Sequence, residues 1–600
     1  MSSMDGREGA AEMSRTMQTT QTTIRYSAGV GGSGPLTLGQ DNMIRCILRD
    51  TPEQINKQAV WPVPEGTGLS AALAALRTLA ERHESLRTVF PSGPDGFPAY
   101  QLVRAEGEFT VTLVEAGGLD DAGLDLLADE LARADNAVGF DLAEDFPLRF
   151  TLVTRDGEPA RLAVVVSHSG ADGAATALLV QEWQALAAGK ELPPVVAPTP
   201  LAVAASEGSG LGLRRGKASL RHWEKVLRTC PQAVFADSRI SGPPDQVSVL
   251  ILRSREAARH LELASRRTGA TPSTVLLAAF AALVAHRADQ HRLVIAALSA
   301  NRHRPAMAEY VGTLAQDAFL AVDTDGADLD EVIGRTKAAS LAGYWHSTFD
   351  AAKVWRMIED VAHLRGSRYA RHVVVNDLSL TIPESVSEAR PAPVADPEIS
   401  WFPDERIPVR LMLNIVRVGG SLELALLTCP QVLDRAETEQ FVRGLLAVVK
   451  AAADGPVPLA DLAELTGLEP GVRIGDWQQV DGSWIDLDAV RLLLREVLGA
   501  DVGVRVELVD GRLVAHLRVD PAGPAAGLTP AAVHRVLVPA LGGRDTAMAP
   551  HHYIVHADIV HADIVQGGAA DATAEPDRLP VTAEGSGRDA TVTDWAALLN

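Results

Sequence analysis

Residues 167–173 read Ser-His-Ser-Gly-Ala-Asp-Gly and follow the apolar run at 162–166 (Leu-Ala-Val-Val-Val). A histidine at a strand end, an aspartate four residues on and a glycine opening a helical pattern over 174–186 form a compact arrangement for moving a proton. Side chains alternate along a strand, so Val164, Val166 and His168 are expected on one face and Val165 and Ser167 on the other. On an apolar face, desolvation lowers the imidazole pKa and keeps the ring neutral, able to accept a proton. Asp172 begins the next element and is poorly placed for the same imidazole. It needs a cation, and Arg87 is the candidate. Gly173 allows close approach to the backbone where a side chain would block a substrate. Taken alone, a histidine on an apolar strand end is more often a satisfied core residue than a base.

The elements that must position this constellation alternate between strand and helix signals from Ile24 to about Pro458. The pattern predicts a helix over 70–83, another over 119–133, and strands over 148–154 and 161–168 joined at Arg155-Asp156-Gly157. These make a first lobe, residues 22–205. A second lobe, 206–460, is expected from a strand at 247–252, helices at 254–268 and 271–287, strands at 293–298, 372–375, 410–417 and 421–428, and a helix at 434–452. Residues 1–21 and 566–600 lack periodicity and are expected to be mostly disordered, with 592–599 docking as a short helix. Residues 461–475 are expected as a linker and 476–565 as a small α+β unit.

A chain of 600 residues exceeds what one core serves, and 46% hydrophobic with 22% charged residues is an ordinary globular composition. Cys46, Cys230 and Cys429 lack metal-type spacing and fit a reduced cytoplasmic setting. No apolar run of membrane-spanning length and no secretory leader are visible, so no membrane role is expected. A net charge of -22 argues against nucleic acid as a partner. The one basic cluster, Arg214, Arg215, Lys217 and Arg221, reads as a solvated helix start rather than a docking site. The tandem His556 to Val560 and His561 to Val565 units look like metal ligands only superficially. Five-residue spacing on a strand sends the two histidines to opposite faces, and no metal is expected.

Five segments in order resemble the condensation domains of nonribosomal peptide synthetases, members of the chloramphenicol acetyltransferase-like superfamily. Their His-His-x-x-x-Asp-Gly motif is matched by Ser167-His168-Ser169-Gly170-Ala171-Asp172-Gly173, with Ser167 in place of the first histidine. Arg82-His83-Glu84-Ser85-Leu86-Arg87-Thr88-Val89-Phe90 matches the Arg-His-Glu-x-Leu-Arg-Thr-x-Phe run in full. Phe140-Asp141-Leu142 with Pro147-Leu148-Arg149, Thr271-Pro272 with Leu276 to Phe280, and Arg302 through Gly312 complete the resemblance over about residues 24–458. Leu38-Gly39-Gln40 departs from the family's opening motif.

The resemblance implies a mixed α/β fold of two lobes in a V with a tunnel between them. It implies that His168 deprotonates or orients an attacking amine or hydroxyl midway along the tunnel, with Asp172 and Gly173 completing the motif. Arg87 would pair with Asp172, Ser167 would support the packing, and Asn376, Ser299 and Gly312 would line the tunnel. Donor and acceptor would arrive from opposite mouths, the donor on an acyl or peptidyl carrier protein supplied in trans, the acceptor a small amine or alcohol. No cofactor would be bound; phosphopantetheine comes on the carrier. A non-catalytic recruitment module and a coenzyme A-dependent acyltransferase are the alternatives, the latter needing a basic tunnel mouth.

Residues 485–530 are similar to the small C-terminal subdomain of adenylating enzymes, but no lysine follows Lys450, so the unit lacks the cation such subdomains present and reads as a structural or docking remnant. Leu541-Gly542-Gly543-Arg544-Asp545 echoes a carrier-protein attachment site with Asp545 where the serine belongs, which reads as a turn.

Overall fold

In the computed structural model, residues 18–379, 395–557, 579–588 and 595 are described. The first lobe is a five-stranded sheet in the order Thr19–Ser27, Glu106–Glu115, Leu148–Arg155, Glu158–Val166, Lys57–Pro62. The hairpin between Leu148–Arg155 and Glu158–Val166 turns at Asp156 and Gly157, both with positive φ, as a two-residue turn of right-handed twisted strands demands. Helices Leu69–Arg82 and Gly173–Ala187 close one face over Leu162, Val164 and Val166, while Asp121–Asn136 covers the other over Val153 and Ala163. Trp61 and Trp183 are fully buried in the first of these cores, and Trp183 donates its indole N–H to Pro62 O.

The second lobe holds a seven-stranded sheet, Gln316–Asp323, Arg292–Ser299, Val373–Asp377, Leu411–Arg417, Leu422–Thr428, Val247–Ser254, Glu398–Glu405 in spatial order. Helices Arg255–Thr268, Pro272–Ala288, Leu329–Trp345 and Arg435–Asp454 pack on one face, and Gly210–Thr229 with Ala351–Arg365 on the other. The alanine- and leucine-rich helix Pro272–Ala288 is apolar all round because it is enclosed on all sides. Among the described residues no single helix is long and apolar enough to cross a membrane.

Several expectations change. Residues 19–21, expected to be disordered, are part of the first strand; residues 1–17 lie outside the described residues. The basic cluster lies within the long helix Gly210–Thr229 rather than at its start. Residues 461–475 hold the short helix Leu462–Thr466 and bury Leu462 and Leu468 in the second lobe's core. Val581–Gly585, expected in the tail, pairs with His552–Ala557. Trp595 is buried in the second lobe and donates to Asp360 Oδ2 at 3.0 Å. The second His-Ala-Asp copy lies outside the described residues.

The C-terminal unit has its own core around a four-stranded sheet, Gly503–Val509, Arg512–Val519, His552–Ala557, Val581–Gly585, with helices Leu487–Leu498 and Pro530–Leu537. It is joined to the second lobe through Asp545. His372 Nδ1 accepts from Val234 N–H, so its Nε2–H is free to donate to Asp545 Oδ2 at 2.7 Å, and the wholly buried Arg410 donates to the same oxygen at 3.2 Å. Burial by itself would raise the Asp545 pKa, but His372 and Arg410 outweigh it and hold the carboxyl down at about 2. A carboxylate depressed from about 3.9 in the unfolded chain stabilises the fold above that pH and loses its contribution as the pH falls through its folded pKa. Asp545→Asn is therefore expected to loosen the C-terminal unit at pH 7, seen as faster amide exchange over residues 503–557. The wild-type protein should show the same loosening only as the pH drops from about 4 toward 2.

Candidate functional site

His168 stands just beyond the strand Glu158–Val166, not on it. Ser167 to Gly170 form a turn closed by Gly170 N–H to Ser167 O at 3.0 Å, and Ser167 N–H donates to Pro147 O at 2.8 Å. A Cβ on Gly170 would come within 2.6 Å of the Pro147 ring, so the turn sits tightly on that proline. Ser167 and Ser169 are buried and share a hydrogen bond at 2.9 Å between their hydroxyls. Ser167 thus braces the turn and leaves the imidazole alone. His168 is half-buried, with Nδ1 buried and without a hydrogen-bond partner among the described residues. Desolvation pushes its pKa down to about 4, the Lys57 ammonium adds to the shift, and Asp172 and a backbone hydrogen bond at Ala171 oppose it. The ring is neutral at physiological pH.

The expected Arg87–Asp172 pair does not form. Arg87 ends the short 3-10 turn Glu84–Arg87, where its guanidinium is drawn into its own lobe and donates to the carbonyls of Val30 and Arg104. The cation on Asp172 is Arg302, from the other lobe: Arg302 Nη1 donates to Asp172 Oδ2 at 2.8 Å. The same oxygen accepts from Leu314 N–H at 2.9 Å and Ala315 N–H at 3.2 Å, while Oδ1 caps the helix Gly173–Ala187 by accepting from Ala175 N–H. Asp172 therefore joins the helix that follows His168 to the 302–315 segment of the second lobe. The far end of that helix is fixed by Glu182, which accepts from Arg82 and pairs with His83 at 2.8 Å, so the Arg-His motif acts as a brace.

Gly312 lines neither of the two cavities beside the Asp172–Arg302 junction. Its carbonyl accepts from Arg302 Nη2 at 3.1 Å, its φ is positive, and a Cβ there would strike the Tyr310 ring at 2.6 Å. Ser299 lines a cavity of about 800 Å³, together with Asn301, Arg302, Tyr344, Asp377 and the first turns of the helix after Gly173. Asn376 lies in register between Leu298 and Asn414 beside that cavity, and its neighbour Asp377 lines it. A Cβ on the exposed Gly173 would meet nothing within 4 Å, so the helix opens onto free space.

A second cavity of about 400 Å³ shares Asn301, His303 and Trp345 with the first. Leu38 and Gly39, from the divergent opening motif, line it, and Gly39 lets its helix abut Thr313 O, which a Cβ would meet at 2.4 Å. Arg215 and Arg304 lie at this cavity with His303, whose pKa is lowered by partial burial and by both guanidiniums. Sequence reasoning missed Asn301 and Arg302 as site residues, although Arg302 opens one of the five segments that carry the resemblance. Asn301 belongs to a buried network in which the Ser347 hydroxyl donates to Asn301 Oδ1 at 2.6 Å and approaches Ser299 Oγ at 3.0 Å. Among the described residues no cluster of His, Cys, Asp and Glu is suited to a metal.

The model of the condensation domain matches residues 43–466. Malpibaldin synthetase of Mortierella alpina is 26% identical over 288 residues, which is 46% of this chain and 5% of that protein. The first condensation domain of the CDA synthetase superposes with a TM-score of 0.54 at 18% identity, covering 72% of this chain and 98% of that one. The X-domain from teicoplanin biosynthesis does so with a TM-score of 0.55 at 20% identity, covering 71% and 96%. The chain thus spans a small part of the curated relative, and the solved structures share its fold.

Removing one partner of a buried ion pair costs about 3–5 kcal/mol. Arg302→Ala is expected to lower unfolding stability on that scale in a urea titration and to remove activity. Arg87→Ala should lower stability while leaving the environment of His168 unchanged in histidine-selective NMR spectra.

Proposed function

The chain belongs to the condensation-domain family, and from that premise we propose that it joins an acyl or aminoacyl thioester to an amine or hydroxyl acceptor, forming an amide or ester. His168 takes the proton from the attacking N–H or O–H, through Nε2, because Nδ1 is buried. As the nucleophile adds to the thioester carbonyl and the tetrahedral intermediate collapses, the thiol leaves and the proton passes from His168 to the leaving sulfur. The observation that carries this reading is His168 itself. It is half-buried, neutral, unpaired at Nδ1, and held on a turn fixed by Pro147 and by the Asp172–Arg302 junction.

The donor is read as tethered to a phosphopantetheine arm on a carrier protein acting in trans. In a protein of net charge -22, the Arg215, Arg304 and His303 grouping at the 400 Å³ cavity offers a local site for the arm's phosphate. The carrier-like segment 541–545 is committed to the contact with His372 and Arg410 and holds no serine, so it carries no arm itself. The same basic mouth also favours a second reading, acyl transfer from coenzyme A, whose phosphates have the same chemistry. The C-terminal unit is read as a fixed docking element, in keeping with the contacts of Asp545 to His372 and Arg410 on the second lobe.

Intact mass spectrometry of carrier proteins loaded with acyl groups, incubated with the protein and amine or alcohol acceptors, tests the reading. Loss of the acyl group from the carrier with formation of the joined product is expected for the wild type. His168→Ala should reduce the rate by about 10²-fold or more, the usual scale for a general base, with the melting temperature retained. Turnover from acyl-coenzyme A but not from the loaded carrier would favour the second reading, and unchanged turnover in His168→Ala would remove the histidine from the mechanism.

A further inference from the structure

Lys57 is the first residue of the edge strand Lys57–Pro62 and lies directly opposite Val166, the last strand residue before the turn that carries His168. Its face of the sheet is otherwise apolar, continuing through Ala59 and Trp61 along the strand and Val164 and Leu162 across it. The residue is exposed at the surface, although desolvation by the protein around it lowers its pKa and Glu405 opposes this, and among the described residues its side chain has neither an ion pair nor a hydrogen bond. Two groups face it electrostatically. One is His168. The other is Glu405, the exposed last residue of the strand Glu398–Glu405 at the edge of the second lobe's sheet. An ammonium at the end of an apolar stripe, set between the reacting histidine and the opposite lobe, lacks a counter-ion within contact distance.

We infer that Lys57 binds an anionic group of the acceptor, and that the acceptors this protein takes carry a carboxylate close to the attacking amine or hydroxyl, as free amino acids or hydroxy acids do. The inference rests on the condensation reading and deepens it. Lys57 is paired with Val166, two residues before His168, and its charge is felt by that ring. A carboxylate two bonds from the nucleophile can therefore lie on Lys57 while the nucleophile's proton faces His168. The pairing also has a chemical consequence. Unpaired, the ammonium disfavours protonation of His168, as its lowering effect on that ring shows. A carboxylate seated on Lys57 cancels that charge and makes His168 a stronger base. Occupancy by an acidic acceptor and readiness of the base are thereby coupled.

An edge strand also gains from a lysine simply because the charge discourages pairing with another chain, and this role predicts no acceptor preference. The test compares free amino acids with the corresponding primary amides as acceptors, for the wild type, Lys57→Met and Lys57→Arg. The wild type is expected to use the carboxylate forms at least tenfold better in kcat/KM. Lys57→Met should reduce that preference to about one, mainly through KM, and Lys57→Arg should keep most of it. Retention of the preference in Lys57→Met, or its absence in the wild type, would overturn the inference. So would an equal loss of kcat for both acceptor forms, which would place Lys57 on the oxyanion of the intermediate, and so would a change in solubility alone. Calorimetric titration of the full chain with the same amino acids and amides separates this from failure of the condensation reading. Carboxylate-dependent binding that is lost in Lys57→Met supports the inference even without turnover, and binding indifferent to residue 57 contradicts it.

Discussion

A carboxylate that is 1% exposed must be balanced by donors, and Asp172 is balanced by groups from both lobes. One oxygen caps the helix that follows the His168 turn; the other takes Arg302 and two backbone N–H groups of the 314–315 segment. Neither lobe supplies enough donors alone. The position of His168 relative to Ser299, Asn301 and the two cavities therefore depends on this junction, and Gly312 exists in its conformation to let Arg302 and Tyr310 close around it. The chemistry assigned to His168 uses a ring that touches none of these groups, so Asp172 and Arg302 are positioning residues.

Charge is distributed against the overall balance. The protein is acidic, yet Lys57 lies beside His168, and Arg215 and Arg304 lie at the smaller cavity. Local cations in an otherwise acidic molecule attract anionic ligands to the places where they stand. A further cation is used structurally: Arg410 is neutralised by Asp545, which also accepts from His372, and these contacts hold the C-terminal unit on the lobe. That unit contacts the second lobe at a further point through His534, whose Nε2 hydrogen-bonds His363 O at 2.7 Å.

Most of the regular elements are legible in the sequence because their patterns are strong. The helix Pro272–Ala288 announces itself by Thr271 and Pro272 at its start, and the hairpin at Asp156-Gly157 by its turn residues. The strand Lys57–Pro62 escapes such reading, since a six-residue edge strand beginning with Lys-Gln and ending in proline has little alternation to detect. The histidine motif is legible, but its geometry is not. The apolar run from Leu162 to Val166 does not say where a strand stops, and the turn over Ser167 to Gly170 is set by Pro147 from a distant segment. The choice between Arg87 and Arg302 is equally out of reach, because both arginines stand in recognised segments and only the packing of the two lobes decides which one meets Asp172.

The account stands on a neutral, reachable imidazole at position 168. Its titration, followed by NMR of histidine-labelled protein and assigned by comparison with His168→Ala, tests that claim directly. A midpoint at about 4, with the ring neutral at pH 7, is predicted. A midpoint near the ordinary histidine value of about 6.5 would contradict it.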